Sequence, residues 1–316
     1  MYYDIIGDVH GHADHLARLL QLMEYEEFEG VWRHRDRMAI FVGDFIDRGP
    51  KQLESVRIVR RMVEAGSALA VMGNHEFNAI AWSEPDPVHP GEFLRSHACE
   101  TYRKQHKCFL NEAGCGSPLH REIIQWFYTL PLWLDLPELR VVHACWHPVF
   151  MDYLRPLLLP GLRVSKQLMV EATRKPPKPE RCTPHPSAFK AADAILKGLE
   201  ISLPRGLSFT DKEGCIRKEV RLRWWDPDAF TFRQASICDD NLRRQLPDEP
   251  IPQHFRIGYR NNKPVFFGHY WLREQPAVQS EKVACLDYSV ADEGALVAYR
   301  WNGEAELSSS NLVPIS

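Results

Sequence analysis

Five short apolar runs in this sequence each stop at a residue with a side chain suited to holding a metal ion, and that repetition restricts the possible folds more than any other feature. Tyr2-Tyr3-Asp4-Ile5-Ile6 leads into Gly7-Asp8-Val9-His10-Gly11, Met38 to Val42 leads into Gly43-Asp44-Phe45-Ile46-Asp47-Arg48-Gly49, and Ala68 to Met72 leads into Gly73-Asn74-His75-Glu76. Leu139 to Val142 ends at His143, and Pro264 to Phe267 ends at Gly268-His269. After the first run, Leu16, Leu19, Leu20 and Met23 recur at helical spacing; after Pro50, so do Val56, Val59, Met62 and Val63. Continuous apolar strands alternating with amphipathic helices predict an α/β sheet covered on both faces. Ligands in such sheets gather at the carboxyl ends of the strands. Asp8, His10, Asp44, Asn74, His143 and His269 are therefore expected to converge, with glycines letting the backbone turn sharply beside them.

Each motif alone has an ordinary explanation. An aspartate after a strand often caps the next helix, Gly73-Asn74-His75-Glu76 could be a polar turn, and a histidine after a strand is more often a satisfied core or loop residue. Five coincidences at five strand ends make the joint accident improbable. Imidazole, carboxylate and amide donors suit manganese, iron, cobalt, nickel or zinc, and Asp44 is expected to be shared by two such ions.

The rest of the chain sets limits. At 316 residues it can bury a large core, and 44% hydrophobic with 26% charged residues is ordinary for a globular protein. A formal net charge of −3 gives no electrostatic argument for a nucleic-acid or membrane partner. No run approaches the roughly 18–20 apolar residues that cross a bilayer, and no signal peptide is expected. Eight scattered cysteines suit a reducing cytoplasm. Cys108 and Cys115 with His106 and His120 match no standard zinc spacing, so free thiols are expected. Val283 to Leu286 and Ala295 to Arg300 read as strands, with Asn302-Gly303 as the turn of a closing hairpin. Residues 151–261 differ in texture: Lys175 to Pro179 reads as an exposed linker, Ala188 to Leu199 as a helix and Glu219 to Trp225 as a strand. They are expected to form an inserted cap on a core of residues 1–150 and 262–316. The sequence does not specify oligomeric state.

The motifs D-x-H at Asp8, G-D-x-x-D-R-G at Gly43 and G-N-H-E at Gly73, followed by His143 and His269, resemble the calcineurin-like metallophosphoesterases. Within these, the resemblance is to the phosphoprotein phosphatase branch and its bacterial relatives, near the diadenosine tetraphosphatases. Asp287 and Gly294-Ala295-Leu296 resemble that family's closing strands. The resemblance implies a four-layer αββα sandwich of two mixed β-sheets. It also implies that Asp8 and His10 bind a first metal, that Asp44 bridges, and that Asn74, His143 and His269 bind a second. It further implies a second phosphate-binding arginine, which the sequence does not locate.

Two such cations activate a shared water and stabilise entering and leaving oxygens in an in-line displacement. The expectation is a metal-bound hydroxide nucleophile, with manganese the favoured metal pair. Arg48 offers a planar fork for phosphate, and Asn74 can bind metal through its oxygen and phosphate through its amide. His75 is expected to protonate the leaving oxygen with Asp47 orienting it; a purely structural His75–Asp47 bond is the alternative. Glu76 is expected to lie behind the ligands. His12 and His15 are assigned to an exposed helical turn, and His147 is close to the site only through His143. Tyr270 and Trp271 suit either substrate contact or core, and Arg221, Arg223, Trp224 and Trp225 suit a strand with one buried face better than a phosphate or aromatic wall.

Phosphorylated protein is the favoured substrate, with dinucleoside polyphosphates, other nucleotides or nucleic-acid ends as the alternative. A non-catalytic scaffold is disfavoured because no ligand is missing.

Overall fold

The computed structural model describes residues 1–210 and 216–316. Its first part runs β1 (Tyr2–Ile6), α1 (Ala13–Leu22), the hairpin β2 (Glu26–Phe28) and β3 (Val31–Arg33), β4 (Arg37–Phe41), α2 (Gln52–Glu64), β5 (Ala68–Ala70), α3 (Asn74–Ser83), α4 (Glu100–Ala113), α5 (Pro118–Phe127), β6 (Trp133–Asp135) and β7 (Arg140–Val142). Between Pro148 and Gln245 lie the helices α6 (Pro148–Leu154), α7 (Lys166–Thr173), α8 (Lys178–Arg181), α9 (Ala188–Lys197), α10 (Phe232–Ala235) and α11 (Asp240–Gln245). The short strands β8 (Glu200–Ser202), β9 (Phe209–Thr210), β10 (Ile216–Arg217) and β11 (Glu219–Arg221) fall among them. The chain closes with β12 (Val265–Phe267), β13 (Val283–Cys285), β14 (Asp287–Tyr288), β15 (Ala295–Trp301) and β16 (Leu312–Ile315).

Two mixed sheets carry the fold. One has the order β14-β15-β1-β4-β5 with β16 added to β15, and the other has the order β13-β12-β7-β6. β1, β4 and β5 are parallel, in the register Ile6↔Phe41 and Phe41↔Ala70, so Asp8, Asp44 and Asn74 leave the first sheet at the same edge. β7 and β12 are also parallel, with Phe266 opposite Val141, which brings His143 and His269 to one edge of the second sheet.

The apolar runs are continuous because alternate residues serve two different cores. Ile5, Ile40, Val42 and Val71 from the first sheet meet Val141, Phe266 and Ala284 from the second in one buried cluster. Their chain neighbours Ile6, Phe41, Met72, Val142 and Phe267 point the other way, into a larger cluster. Leu16, Leu19 and Leu20 of α1 and Val56, Val59 and Met62 of α2 fill that cluster, matching the apolar spacing in the sequence. Leu168, Ile195 and Trp224 join it from the region after β7, and Trp224 ties that region down by donating its indole N–H to the Ala144 carbonyl at 2.9 Å.

Three local expectations change. The strand expected at Val283 to Leu286 ends one residue sooner: β13 pairs with β12, and after Leu286 the chain passes to the first sheet as β14. The Asp287 carboxylate makes that change of direction, accepting the N–H groups of Trp271 at 2.7 Å and Ser289 at 3.0 Å. Asn302-Gly303 does not close a tight hairpin, because Glu304 accepts from Tyr299 Oη at 2.8 Å and Asn311 Nδ2 at 2.9 Å and folds residues 302–311 into a longer loop before β16. The predicted strand at Glu219 to Trp225 is shorter, ending at Arg221. No helix among the described residues is long and apolar enough to cross a membrane.

Gly7 shows how closely the closing strands press on the first motif. A β-carbon there would stand 2.1 Å from the Leu286 carbonyl oxygen and 3.1 Å from that of Val297. Both obstacles are backbone, which cannot rotate aside. Gly7→Ala is expected to destabilise the fold by about 1–3 kcal/mol, the usual range for overpacking, read as a lower midpoint in urea unfolding. An unchanged midpoint would show that the closing strands can shift.

Candidate metal centre

The loops that end the strands are held in costly backbone conformations. His10, Asp44, Asp47, Arg48 and His269 all have positive φ, between 46° and 79°, a region that non-glycine residues keep only where surrounding contacts fix it. The Asp44 carbonyl accepts the N–H groups of Val9 at 3.1 Å and His10 at 2.8 Å, locking the first loop to the second. Glu76, in the first turn of α3, accepts from Asp44 N, Phe45 N and Gly73 N at 2.8–2.9 Å. Glu76 is therefore a brace behind the ligand loop. A β-carbon on Gly268 would fall 1.9 Å from Asp8 Oδ1, so glycine there is what lets Asp8 point inward.

The six predicted ligands are all buried; His10, Asp44, His143 and His269 gather their ligand atoms, Asn74 joins through His143, and Asp8 stands outside both groups, bonded to the His269 backbone. Asp44 is the hub: its Oδ2 lies 3.7 Å from His10 Nε2 and 3.4 Å from His143 Nε2. His143 Nε2 is 3.1 Å from Asn74 Oδ1. Asp8 Oδ2 accepts from His269 N at 3.0 Å. His10 Nδ1–H donates to the Ile46 carbonyl at 3.1 Å and His143 Nδ1–H to the Val42 carbonyl at 2.8 Å. These bonds fix ring orientation and turn both Nε2 atoms toward Asp44. Ligand atoms fall into two groups within 4.8 Å, His10–Asp44–His75 and Asp44–His143–His269, with Asp44 common to both.

Electrostatics shows what this arrangement lacks. Asp8 Oδ1, His10 Nε2 and His269 Nε2 are buried without a hydrogen-bond partner among the described residues. Burial and the nearby Asp287 push the Asp8 carboxyl well above its usual range, while burial and His75 lower His10 to about 4, leaving it neutral. Burial and the Arg221 guanidinium hold His269 well below the normal imidazole range. His143 goes the other way: burial would lower it, but Asp44 and Asp8 raise it to about 10. A proton on His143 thus serves carboxylates that a metal cation would serve better. Unpartnered nitrogens on His10 and His269 and an unpartnered oxygen on Asp8, beside the buried Asp44 carboxylate, fit a pair of first-row divalent ions.

His75 meets the distance test for the first group but not the chemical one. Its Nδ1 is bound to Asp47 Oδ2 at 2.6 Å. Burial would lower its pKa, yet Asp44 and Asp47 together raise it. With Nδ1 engaged by Asp47 and two carboxylates favouring the protonated ring, His75 is suited to holding a proton beside the centre. The Arg48 guanidinium lies 5.0 Å from the centre of the Trp271 ring, and that ring is 6.0 Å from His10, so Arg48 and Trp271 border the same centre.

Other candidates separate cleanly. Tyr270 packs against Trp225 and Phe267 in the core. His147 caps α6 by accepting from Phe150 N at 3.3 Å and stacks on Phe150. His12 and His15 pair with each other at the start of α1. His106, Cys108, Cys115 and His120 form no metal group among the described residues. His106 instead meets Asp47, and Cys108 Sγ–H donates to the Arg48 carbonyl at 3.6 Å. The seven described cysteines are unpaired.

The second arginine could not be placed from sequence, and Arg221 was read as part of a strand with one buried face in preference to a phosphate or aromatic wall. In the structure Arg221 Nη1 donates to the His269 carbonyl at 3.3 Å, which brings a second guanidinium to the ligand strand from the far side of the chain. Only the packing of β11 beside the loop after β12 reveals this.

Two ligand groups sharing one buried aspartate, set at the strand ends of a mixed α/β fold, define a candidate dinuclear metal centre. The chain belongs to the calcineurin-like phosphoesterase family, whose model matches residues 1–159. That family depends on a dinuclear metal centre, in agreement with the resemblance of the motifs. The chain is 34% identical over 147 residues to the asymmetrical bis(5'-nucleosyl)-tetraphosphatase of Bacillus velezensis, covering 46% of this chain and 56% of that protein. It therefore spans about half the length of that relative. It is 26% identical over 318 residues, 98% of each chain, to the symmetrical bis(5'-nucleosyl)-tetraphosphatase of Vibrio cholerae. Among solved structures it is similar to a cold-active protein-tyrosine phosphatase of a psychrophilic Shewanella species, with TM-score 0.48 and 16% identity over 100% of this chain and 80% of that one.

Proposed function

We propose that this chain is a dinuclear-metal phosphohydrolase acting on dinucleoside polyphosphates. The observation that carries the chemistry is the sharing of Asp44 Oδ2 between His10 and His143 at the junction of the two sheets. The substrate class is supported by the Vibrio cholerae tetraphosphatase, which aligns along 98% of both chains. This moves the favoured substrate away from the phosphoproteins suggested by the motifs, since a ligand shell common to the whole family says nothing about what the phosphate is attached to.

In this reading Asp8 and His10 would hold one ion, Asn74, His143 and His269 would hold the other, and Asp44 would serve both, with manganese the favoured metal. Bound there, the pair would activate water and neutralise charge developing on the phosphate. Arg48, seated over Trp271, supplies a planar pair of donors for phosphate oxygens, and Arg221 supplies a second. The Asn74 amide would donate to the phosphate while its oxygen would serve the ion. His75 carries the proton for the leaving oxygen on Nε2, with Nδ1 fixed by Asp47. Residues 151–261 act as an insertion that brings Arg221 to the core of residues 1–150 and 262–316. The unpaired thiols support a reducing, cytoplasmic setting.

A turnover panel tests this: diadenosine tetraphosphate, phosphoserine, phosphothreonine and phosphotyrosine peptides and a 5'-phosphorylated oligonucleotide, each with manganese, zinc, cobalt, nickel or ferrous iron. The expected result is a kcat/KM for diadenosine tetraphosphate at least about tenfold above every peptide, a difference of about 1.4 kcal/mol in transition-state binding. Preference for a phosphopeptide would overturn the substrate class. No turnover of any member with any metal would overturn the hydrolase itself.

A further inference from the structure

His106 is a buried histidine that the metal centre does not use. It sits on the inner face of α4 with Phe109 and Ala113, at 3% exposure, and its ring is tilted against those of Trp82 and Phe109. Its Nδ1 lies 3.0 Å from Asp47 Oδ1 and 3.3 Å from Asp47 Oδ2. Asp47 Oδ2 is at the same time 2.6 Å from His75 Nδ1. A buried carboxylate accepts and cannot donate, so both imidazoles must present N–H to it. The result is a chain His75–Asp47–His106 in which Oδ2 holds His75 and Oδ1 makes the shorter contact to His106.

The backbone of Asp47 makes such a clamp necessary. Its φ of 67° is a conformation that a non-glycine residue keeps only when its surroundings dictate it. From the chain itself, Gln52 Oε1 accepts Asp47 N–H at 2.5 Å. From across the fold, α4 grips the same loop at further points. Cys108 reaches the Arg48 carbonyl, and the Glu112 carboxylate accepts Gln52 N at 2.9 Å and Leu53 N at 3.1 Å. Within this grip His106 is the residue that touches the carboxylate directly.

We propose that His106 is a positioning residue for proton transfer, clamping the free oxygen of Asp47 so that the other stays aligned with His75. The proposal rests on the assignment of His75 as proton donor made above. Without His106, Asp47 can rotate about its side-chain bonds and lose its line to His75. Burial would raise the Asp47 carboxyl, but His106 and His75 hold it well below the usual range, so it remains an anion able to grip both rings. Among the described residues His106 makes no ion pair except with Asp47, so its loss should leave the metal ligands in place.

The test uses the metal-loaded protein and two substrates, phenyl phosphate, whose leaving group needs a proton, and 2,4-dinitrophenyl phosphate, whose leaving group does not. His106→Phe fills the space without a donor, and His106→Asn returns an N–H near the position of Nδ1. His106→Phe is expected to lose about tenfold more kcat on phenyl phosphate than on the dinitrophenyl ester, the low end for a misaligned general acid. Metal stoichiometry should be unchanged, and His106→Asn should recover most of the difference. In a His75→Asn background, adding His106→Phe should have little further effect, because the two residues act as one unit. If His75→Asn itself shows no dependence on the leaving group, the donor assignment beneath the proposal fails. A graded His75→Asn profile with a flat His106→Phe profile, a His106→Asn profile as steep as that of His106→Phe, or loss of metal in His106→Asn overturns the role of His106 alone.

Discussion

Asp44→Asn is expected to lower kcat/KM by roughly a thousandfold or more, about 4 kcal/mol of transition-state stabilisation. The substitution keeps the shape of the side chain. It replaces an oxygen acceptor by an NH₂ group at the one position that faces both ligand groups. Asp44 Oδ1 accepts His75 N–H at 2.9 Å, and Asn can keep that bond with its own oxygen, so the loop need not collapse. Asp44 is fully buried: burial alone would raise its pKa, yet His143 and His75 hold it well below the carboxylate range, so it is ionised and able to attract cations. Removing that charge should reduce the metal content measured by plasma mass spectrometry from two ions per chain toward one or none. Because ligands that bind only the folded state stabilise it by mass action, added manganese should raise Tm in the parent protein and fail to do so in the variant. Parental turnover with two ions retained would sink the assignment of Asp44 as the shared ligand.

His75→Asn should divide substrates by their leaving groups. A proton delivered in the transition state contributes about 10²–10⁴-fold, and only where the departing oxygen is too basic to leave as an anion. Phenyl phosphate turnover should fall within that range, whereas 2,4-dinitrophenyl phosphate should change by less than about tenfold. The geometry behind this is the 2.6 Å bond between His75 Nδ1 and Asp47, which leaves Nε2 facing the centre at 3.9 Å from Asp44 Oδ2. If His75 were a metal ligand instead, both substrates would fall together and metal would be lost. Equal losses with reduced metal content would therefore reverse the role assigned to it.

Much of the centre was legible from the sequence because strand ends are easy to read. A run of alternating inward residues that serves two cores is apolar throughout, and its end is marked by the first glycine and polar side chain, as at Gly7-Asp8 and Gly43-Asp44. The parallel register of β1, β4 and β5 then brings those ends together without any side-chain information. The helix that begins at Asn74 was not legible, since its first turn is built from ligand and brace residues with a weak apolar pattern. The crossing from β13 to β14 was hidden for a related reason: Val283 to Leu286 has the pattern of a single strand, and the turn is imposed by Asp287 bonding to Trp271, which is 16 residues distant.

The gathering of His10, Asp44, His143 and His269 at the strand ends was thus legible in the sequence alone, because backbone periodicity and glycine placement are local properties and five strand ends repeat them. Tertiary structure alone decided their surroundings. His106 lies 59 residues from Asp47, and Arg221 lies 48 residues before the His269 carbonyl it meets. A histidine on the apolar face of α4 and an arginine on a short strand look like ordinary packing until the helix and strand are docked. What separates the five apolar runs from a working centre is therefore the packing of α4 and β11 against the strand ends, where long-range contacts set orientation and charge that no local pattern records.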